Sequence, residues 1–154
     1  VPAFYLPALL ASENDIKSFS MTGQRRDLNR EKFKSENLSA VLNNPESNAN
    51  KNLKYLRNAM DVRSELKQFH PCSQMKCLSK GRSDIVVIKR GKGPESVFAI
   101  HNMTENKINY QLNDNDLPKI IDNDFNTHDF LTSTKYNCKN ISLDPFQVIW
   151  LSAL

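Results

Sequence analysis

A change of hydrophobic period at Phe69, His70 and Pro71 divides this chain into two unlike parts. From about Asn50 to Leu66, the apolar residues Leu53, Leu56, Met60 and Leu66 fall on one helical stripe, with Lys54, Arg57 and Arg63 largely outside it. Such a stripe is a packing face against a neighbour. Beyond Pro71 the pattern alternates, and short strands are expected at Met75 to Leu78, Asp84 to Lys89, Ser96 to His101, Ile108 to Leu112, Asp129 to Thr132 and Phe146 to Leu151. Gly, Asn, Asp and Pro clusters separate them. The expectation is therefore an α+β chain whose residues 1–70 form one part and residues 71–154 a small antiparallel β domain.

The opening run Val1 to Leu6 is almost uninterrupted in its apolarity, with Pro2 where a strand tolerates it. That composition predicts a strand buried on both faces, as in a parallel sheet. A parallel strand needs parallel neighbours, and none follows with a suitable crossover helix. The expectation is that the partner strands lie in an N-terminal part absent from this chain, which would make it the tail of a larger protein. Downstream, Ser35 is placed to cap a short helix through about Leu42, and residues 43–50 supply loop and cap material.

Composition limits the chemistry. A net charge of +4 and a pI near 9.0 arise from basic residues spread along the chain, without Lys/Arg blocks interleaved with aromatics, so nucleic acid is not the expected partner. Cys72, Cys77 and Cys138 are odd in number and contain no CxxC pair, which favours neither a disulfide framework nor a zinc site and suits a reducing compartment. No apolar run approaches the roughly 20 residues of a membrane span, so no membrane partner is expected and the cytoplasm is the expected location. His70, His101 and His128 stand in separate segments without carboxylates at metal-ligand spacing, and no metal or cofactor is expected. Asp114/Asp116 and Asp122/Asp124 form acidic pairs in a polar, Asn-rich loop from Asn113 to His128. A loop of that kind lacks the apolar walls that raise the pKa of a general acid. No complete catalytic set is visible.

The one stretch suited to holding a polar ligand is Thr22 to Arg30, which concentrates Arg25, Arg26, Asp27, Asn29 and Arg30 behind Gly23. Guanidinium groups offer planar, permanently charged donor forks for sugar hydroxyls or phosphate oxygens, and a neighbouring Asp or Asn can hold their rotamers. A solvated basic loop is the plain alternative.

Val1 to Leu6, Ser12 to Asp15, Thr22, Gly23 and Arg26 to Glu31 together resemble the last barrel strand and following loop of the sucrose phosphorylase branch of glycoside hydrolase family 13. Leu56 to Ser64 is similar to the last barrel helix, while Val97 to Asn102, Asp129 to Thr132 and Pro145 to Leu151 resemble the small C-terminal sheet domain of that branch. The resemblance implies that residues 1–70 close a (β/α)8 catalytic barrel and that the Arg-rich loop reaches the active-site face. It further implies a retaining double displacement on a small α-glucoside with phosphate as acceptor, its carboxylates lying upstream of Val1, so that this chain alone would be inactive. By the same resemblance Arg26 contacts the glucosyl unit, with Asn29 and Arg30 in supporting positions. Gln24 and Arg25 before the matched Arg26 and Asp27 point to the subgroup acting on glucosylglycerate. Two other readings stand beside this one: an amylase-type α-glucoside hydrolase, and a non-catalytic carbohydrate-binding or interaction module built on the sheet domain. The module would need exposed aromatics, whereas Trp150 lies in an alternating run where burial is expected.

Overall fold

The computed structural model describes residues 3–29, 32–117 and 126–152, in two compact units that divide between Met60 and Asp61. The first unit is helical. Residues 3–5 carry no strand ladder, and α1 (Leu6–Leu9) begins where the predicted strand was to end. A strand exists through its hydrogen-bonded neighbour, and among the described residues none pairs with this segment. Pro7, by contrast, fits the first turn of a helix, where its missing N–H costs nothing.

α2 (Ile16–Thr22) follows, capped by Asp15, whose carboxylate accepts from the Ser18 N–H at 2.9 Å and the Ser18 hydroxyl at 2.5 Å. These bonds hold the Asp15 carboxyl below its ordinary pKa. α3 (Ser35–Asn43) starts one residue earlier than a Ser35 cap would require. Lys34 is the extended residue before it, and no side chain caps the helix. The long α4 (Asn48–Glu65) is entered through Ser47, whose hydroxyl accepts from the Asn50 N–H at 3.1 Å. The Asn50 side chain donates back to the Leu42 carbonyl at 2.6 Å, and Asn52 donates to the carbonyls of Ala8 and Leu9, closing α1. Leu53, Leu56, Met60 and Leu66 are half-buried, as the stripe predicts, and Lys54 and Arg57 are exposed, whereas Arg63 is half-buried and donates to the Phe69 carbonyl at 3.4 Å.

The second unit is an antiparallel sheet domain. β1 (Met75–Cys77), β2 (Ile85–Arg90), β3 (Val97–Asn102) and β8 (Val148–Ser152) form one sheet in the order β1-β2-β3-β8. Register places Val87, Ile100 and Ile149 in line on one face, with Phe98 and Leu151 beside them. A ribbon of β4 (Ile108–Tyr110) and β7 (Ile141–Leu143) supplies Ile141 and Leu143 to the same core, which Leu112, Leu117 and Cys138 complete. Each fully buried Ile, Leu or Phe there contributes on the order of 1.5–3 kcal/mol. On the opposite face Trp150 is half-buried against Phe69, ring centroids 4.7 Å apart, and Arg90 donates to the carbonyls of Gln68 and His70.

The expected strand Asp129 to Thr132 is a turn. The strands of that hairpin are β5 (Asn126–His128) and β6 (Lys135–Asn137), and Asp129 makes an isolated bridge to Leu151. The Asp129 carboxylate, fully buried, accepts from the Leu131 and Trp150 N–H groups at 3.2 and 2.7 Å and from the Thr132 hydroxyl at 2.7 Å. An Asp that organises its own following backbone makes a turn, which overrides the strand propensity of Phe130 and Leu131. One acidic residue of the 113–128 loop is covered. Asp116 is buried, and Lys76 Nζ donates to its carboxylate at 2.7 Å.

Candidate functional site

The Arg-rich segment is a folded turn. α2 ends at Thr22, and Gly23 takes the left-handed conformation (φ 64°) that only a residue without a Cβ adopts freely, its N–H capping the helix on the Phe19 carbonyl at 2.8 Å. The chain then tightens into a 3-10 turn, Arg25–Asn29. Three bonds fasten it. The Thr22 hydroxyl lies 2.6 Å from an Asp27 carboxylate oxygen, the Asp15 N–H donates to the Leu28 carbonyl at 2.7 Å, and the Tyr5 hydroxyl donates to the Asn29 carbonyl at 3.0 Å.

The geometry sorts the site residues. A 3-10 helix has about three residues per turn, so residues three apart eclipse. Arg26 and Asn29 therefore share one edge, Arg25 shares the edge of half-buried Leu28, and Asp27 holds the third. Arg26 and Asn29 are both exposed, and among the described residues no ion pair engages either Arg25 or Arg26. Asp27 is taken up by Thr22, and among the described residues no guanidinium pairs with it. Arg30 lies outside the described residues. A cleft of about 460 Å3 in the same unit is lined by Ser12, Glu13, Lys32, Lys34 and Leu38 among others, without Arg26, and the Ser12 hydroxyl is buried there with no hydrogen-bond partner among the described residues.

The rest of the chemistry is dispersed. His70 Nδ1 accepts from the Cys72 N–H, His128 packs edge-on against Phe130, and His101 sits in β3, its pKa pushed down by burial. Among the described residues no group of His, Cys, Asp and Glu is placed to hold a metal. Cys138 is buried and its thiol is pushed up to about 11 by desolvation. Asp122 and Asp124 fall outside the described residues. What the first unit presents is an exposed donor edge, Arg26 with Asn29, able to bind and orient an oxygen-rich ligand; the neighbouring carboxylate, Asp27, is bonded to Thr22. The role of Thr22 was missed from sequence; its spacing of five residues from Asp27 was the available signal.

Two solved structures similar to this chain are AmyP in complex with maltose (TM-score 0.54, 17% identity, covering 70% of this chain and 22% of that one) and the trehalulose synthase MutB from Pseudomonas mesoacidophila MX-45 (TM-score 0.55, 12% identity, 74% and 19%). Likeness at that level of identity defines the fold, the end of a (β/α)8 barrel followed by a small antiparallel sheet domain, as in glycoside hydrolase family 13 enzymes. In sequence the chain is similar to glucosylglycerate phosphorylase of Allomeiothermus silvanus, 32% identical over 105 residues that cover 68% of this chain. It spans 19% of the length of that relative. No family model matches the chain. In sequence and in fold, then, this chain resembles a segment of a glycoside hydrolase family 13 protein.

Proposed function

We propose that the chain is the end of the catalytic barrel (residues 1–70) and the C-terminal sheet domain (71–154) of an α-glucoside phosphorylase, with glucosylglycerate or sucrose as donor and phosphate as acceptor. The observation that carries this reading is the 32% identity to a glucosylglycerate phosphorylase over two thirds of the chain. The 3-10 turn supports it by putting Arg26 and Asn29 on one exposed edge.

In the reaction so proposed, carboxylates supplied from outside this chain do the bond-making. One carboxylic acid protonates the glycosidic oxygen as a second carboxylate attacks the anomeric carbon, giving a covalent glucosyl-enzyme and the free leaving alcohol. Phosphate then attacks that carbon and surrenders its proton to the first carboxylate, which restores both groups and releases glucose 1-phosphate with net retention. The contribution of this chain is binding. Arg26 donates its fork to vicinal hydroxyls of the glucosyl unit, while Asn29 and Arg30 support it.

The partner implied for the first unit is the remainder of a barrel. Its hydrophobic residues are poorly covered. Phe4, Tyr5, Leu6, Ile16, Met21, Val41 and Tyr55 are exposed, while among its described residues Leu10 and Ala49 are the buried apolar ones. We place the protein in the cytoplasm, on its three free cysteines; among the described residues, no helix is long and apolar enough to cross a membrane.

The test is to incubate the full-length protein with glucosylglycerate or sucrose, with and without phosphate, and to measure glucose 1-phosphate and glucose separately. Phosphate-dependent glucose 1-phosphate is the expected product. Phosphate-independent release of glucose would replace this reading by hydrolysis, and neither product would remove it.

A further inference from the structure

Thr22 ends α2, and its side chain reaches over the Gly23 corner to the turn that carries Arg26. The hydroxyl has one proton and two acceptors in range, the Asp27 carboxylate at 2.6 Å and the Ser18 carbonyl at 3.0 Å, and its oxygen receives the Gln24 N–H at 3.2 Å. The shorter distance and the charge on the acceptor direct the proton to Asp27, a charge-assisted bond of the stronger kind. Asp27 occupies one edge of a three-edged turn, so fastening it to the end of α2 sets the rotation of the turn about its own axis. The neighbouring edge, Arg26 with Asn29, is then held away from α2. The other two ties, from the Asp15 N–H and the Tyr5 hydroxyl, end on backbone carbonyls at Leu28 and Asn29 and secure the far end of the turn. Neither grips a turn side chain.

We propose that Thr22 is a positioning residue for substrate recognition: through its bond to Asp27 it sets the direction of the Arg26 guanidinium. This rests on the reading that Arg26 contacts the glucosyl unit. A residue that acts through another has a distinct signature, because its effect disappears once the group it positions is gone. Thr22→Val keeps the shape and removes the hydroxyl. Thr22→Ser keeps the hydroxyl.

The experiment is a double-mutant cycle in the full-length enzyme, with kcat and KM for the glucoside donor measured for Thr22→Val, Thr22→Ser, Arg26→Ala and the Thr22→Val/Arg26→Ala double variant. Thr22→Val is expected to lower kcat/KM by about tenfold, Thr22→Ser to stay within about threefold of wild type, and the double variant to match Arg26→Ala within about twofold. A general loosening of the fold would instead lower kcat/KM equally in both backgrounds. If Arg26→Ala behaves as wild type, the reading of Arg26 falls and takes this proposal with it. If Arg26→Ala is impaired, three results overturn the proposal alone: a wild-type Thr22→Val, a Thr22→Ser as impaired as Thr22→Val, or a double variant in which the two losses multiply in full.

Discussion

Arg26 and Arg25 are adjacent and chemically identical, yet the turn sets them on different edges. About 120° separates neighbours on a 3-10 helix, so Arg25 lies on the edge of Leu28 and Arg26 on the edge of Asn29. A charged donor to a neutral hydroxyl in a dry site is worth roughly 1.5–3 kcal/mol. Arg26→Ala should therefore cost on the order of ten- to a hundredfold in kcat/KM of the full-length enzyme, and Arg26→Lys should recover little, because an ammonium cannot reproduce the planar fork. Arg25→Ala should stay near wild type; steady-state kinetics on the three variants would expose a misplaced register if Arg25 proved the sensitive one. Asp129 makes the corresponding point for stability. Replacing it with Ala removes the acceptor that the Leu131 and Trp150 N–H groups share and should destabilise the sheet domain by about 1–3 kcal/mol. Urea unfolding followed by the fluorescence of Trp150, the single Trp of the chain, would read this directly. A midpoint unchanged by the substitution would mean that water replaces the carboxylate, contrary to its full burial.

At the scale of elements, what could be read in advance follows from where each segment finds its partners. β2, β3 and β8 announce themselves because Ile85 to Ile88, Val97 to Ile100 and Val148 to Leu151 are rich in β-branched and aromatic residues with both faces covered. The Leu53, Leu56 and Met60 stripe likewise states the helix that buries it. β6 and β7 are three residues each, and Lys135, Asn137 and Ser142 give them no strand signature; their pairing with β5 and β4 is a tertiary fact. The buried Asp116 was illegible for the same reason, since its partner Lys76 stands 40 positions away. The Arg-rich stretch was visible as a ligand-holding composition, but an extended loop and a 3-10 turn share that composition, and only the Thr22, Asp15 and Tyr5 bonds decide between them. β3 also carries a pH dependence. Burial lowers the pKa of His101 from 6.5, so the unfolded chain takes up this proton first, and stability should fall as pH drops below about 6.5 until the folded histidine protonates. Asp15 and Asp84, whose pKa values are lowered by Ser18 and Arg82, act in a separate window below their ordinary 3.8. Urea midpoints at pH 7.5 and 5.5 should thus differ for the native sequence and converge for His101→Gln; an equal difference in both would assign the effect elsewhere.

The whole molecule is uneven in a way that matches the function proposed for it. Its covered apolar core belongs to the sheet domain, from Ile85 to Leu151, whereas the helical unit leaves Leu6, Ile16 and Met21 exposed and carries the turn on which Arg26 and Asn29 share an edge. On the function proposed for it, that turn contributes recognition, while the bond-making carboxylates and the apolar cover come from the rest of a barrel. The direct measurement is to assay the 154-residue chain by itself beside the same chain joined to its upstream coding region, with glucosylglycerate or sucrose and phosphate, for glucose 1-phosphate. Phosphate-dependent release is expected from the joined protein and none from the chain alone. Turnover by the isolated chain, or a joined protein inactive on both donors, would contradict it.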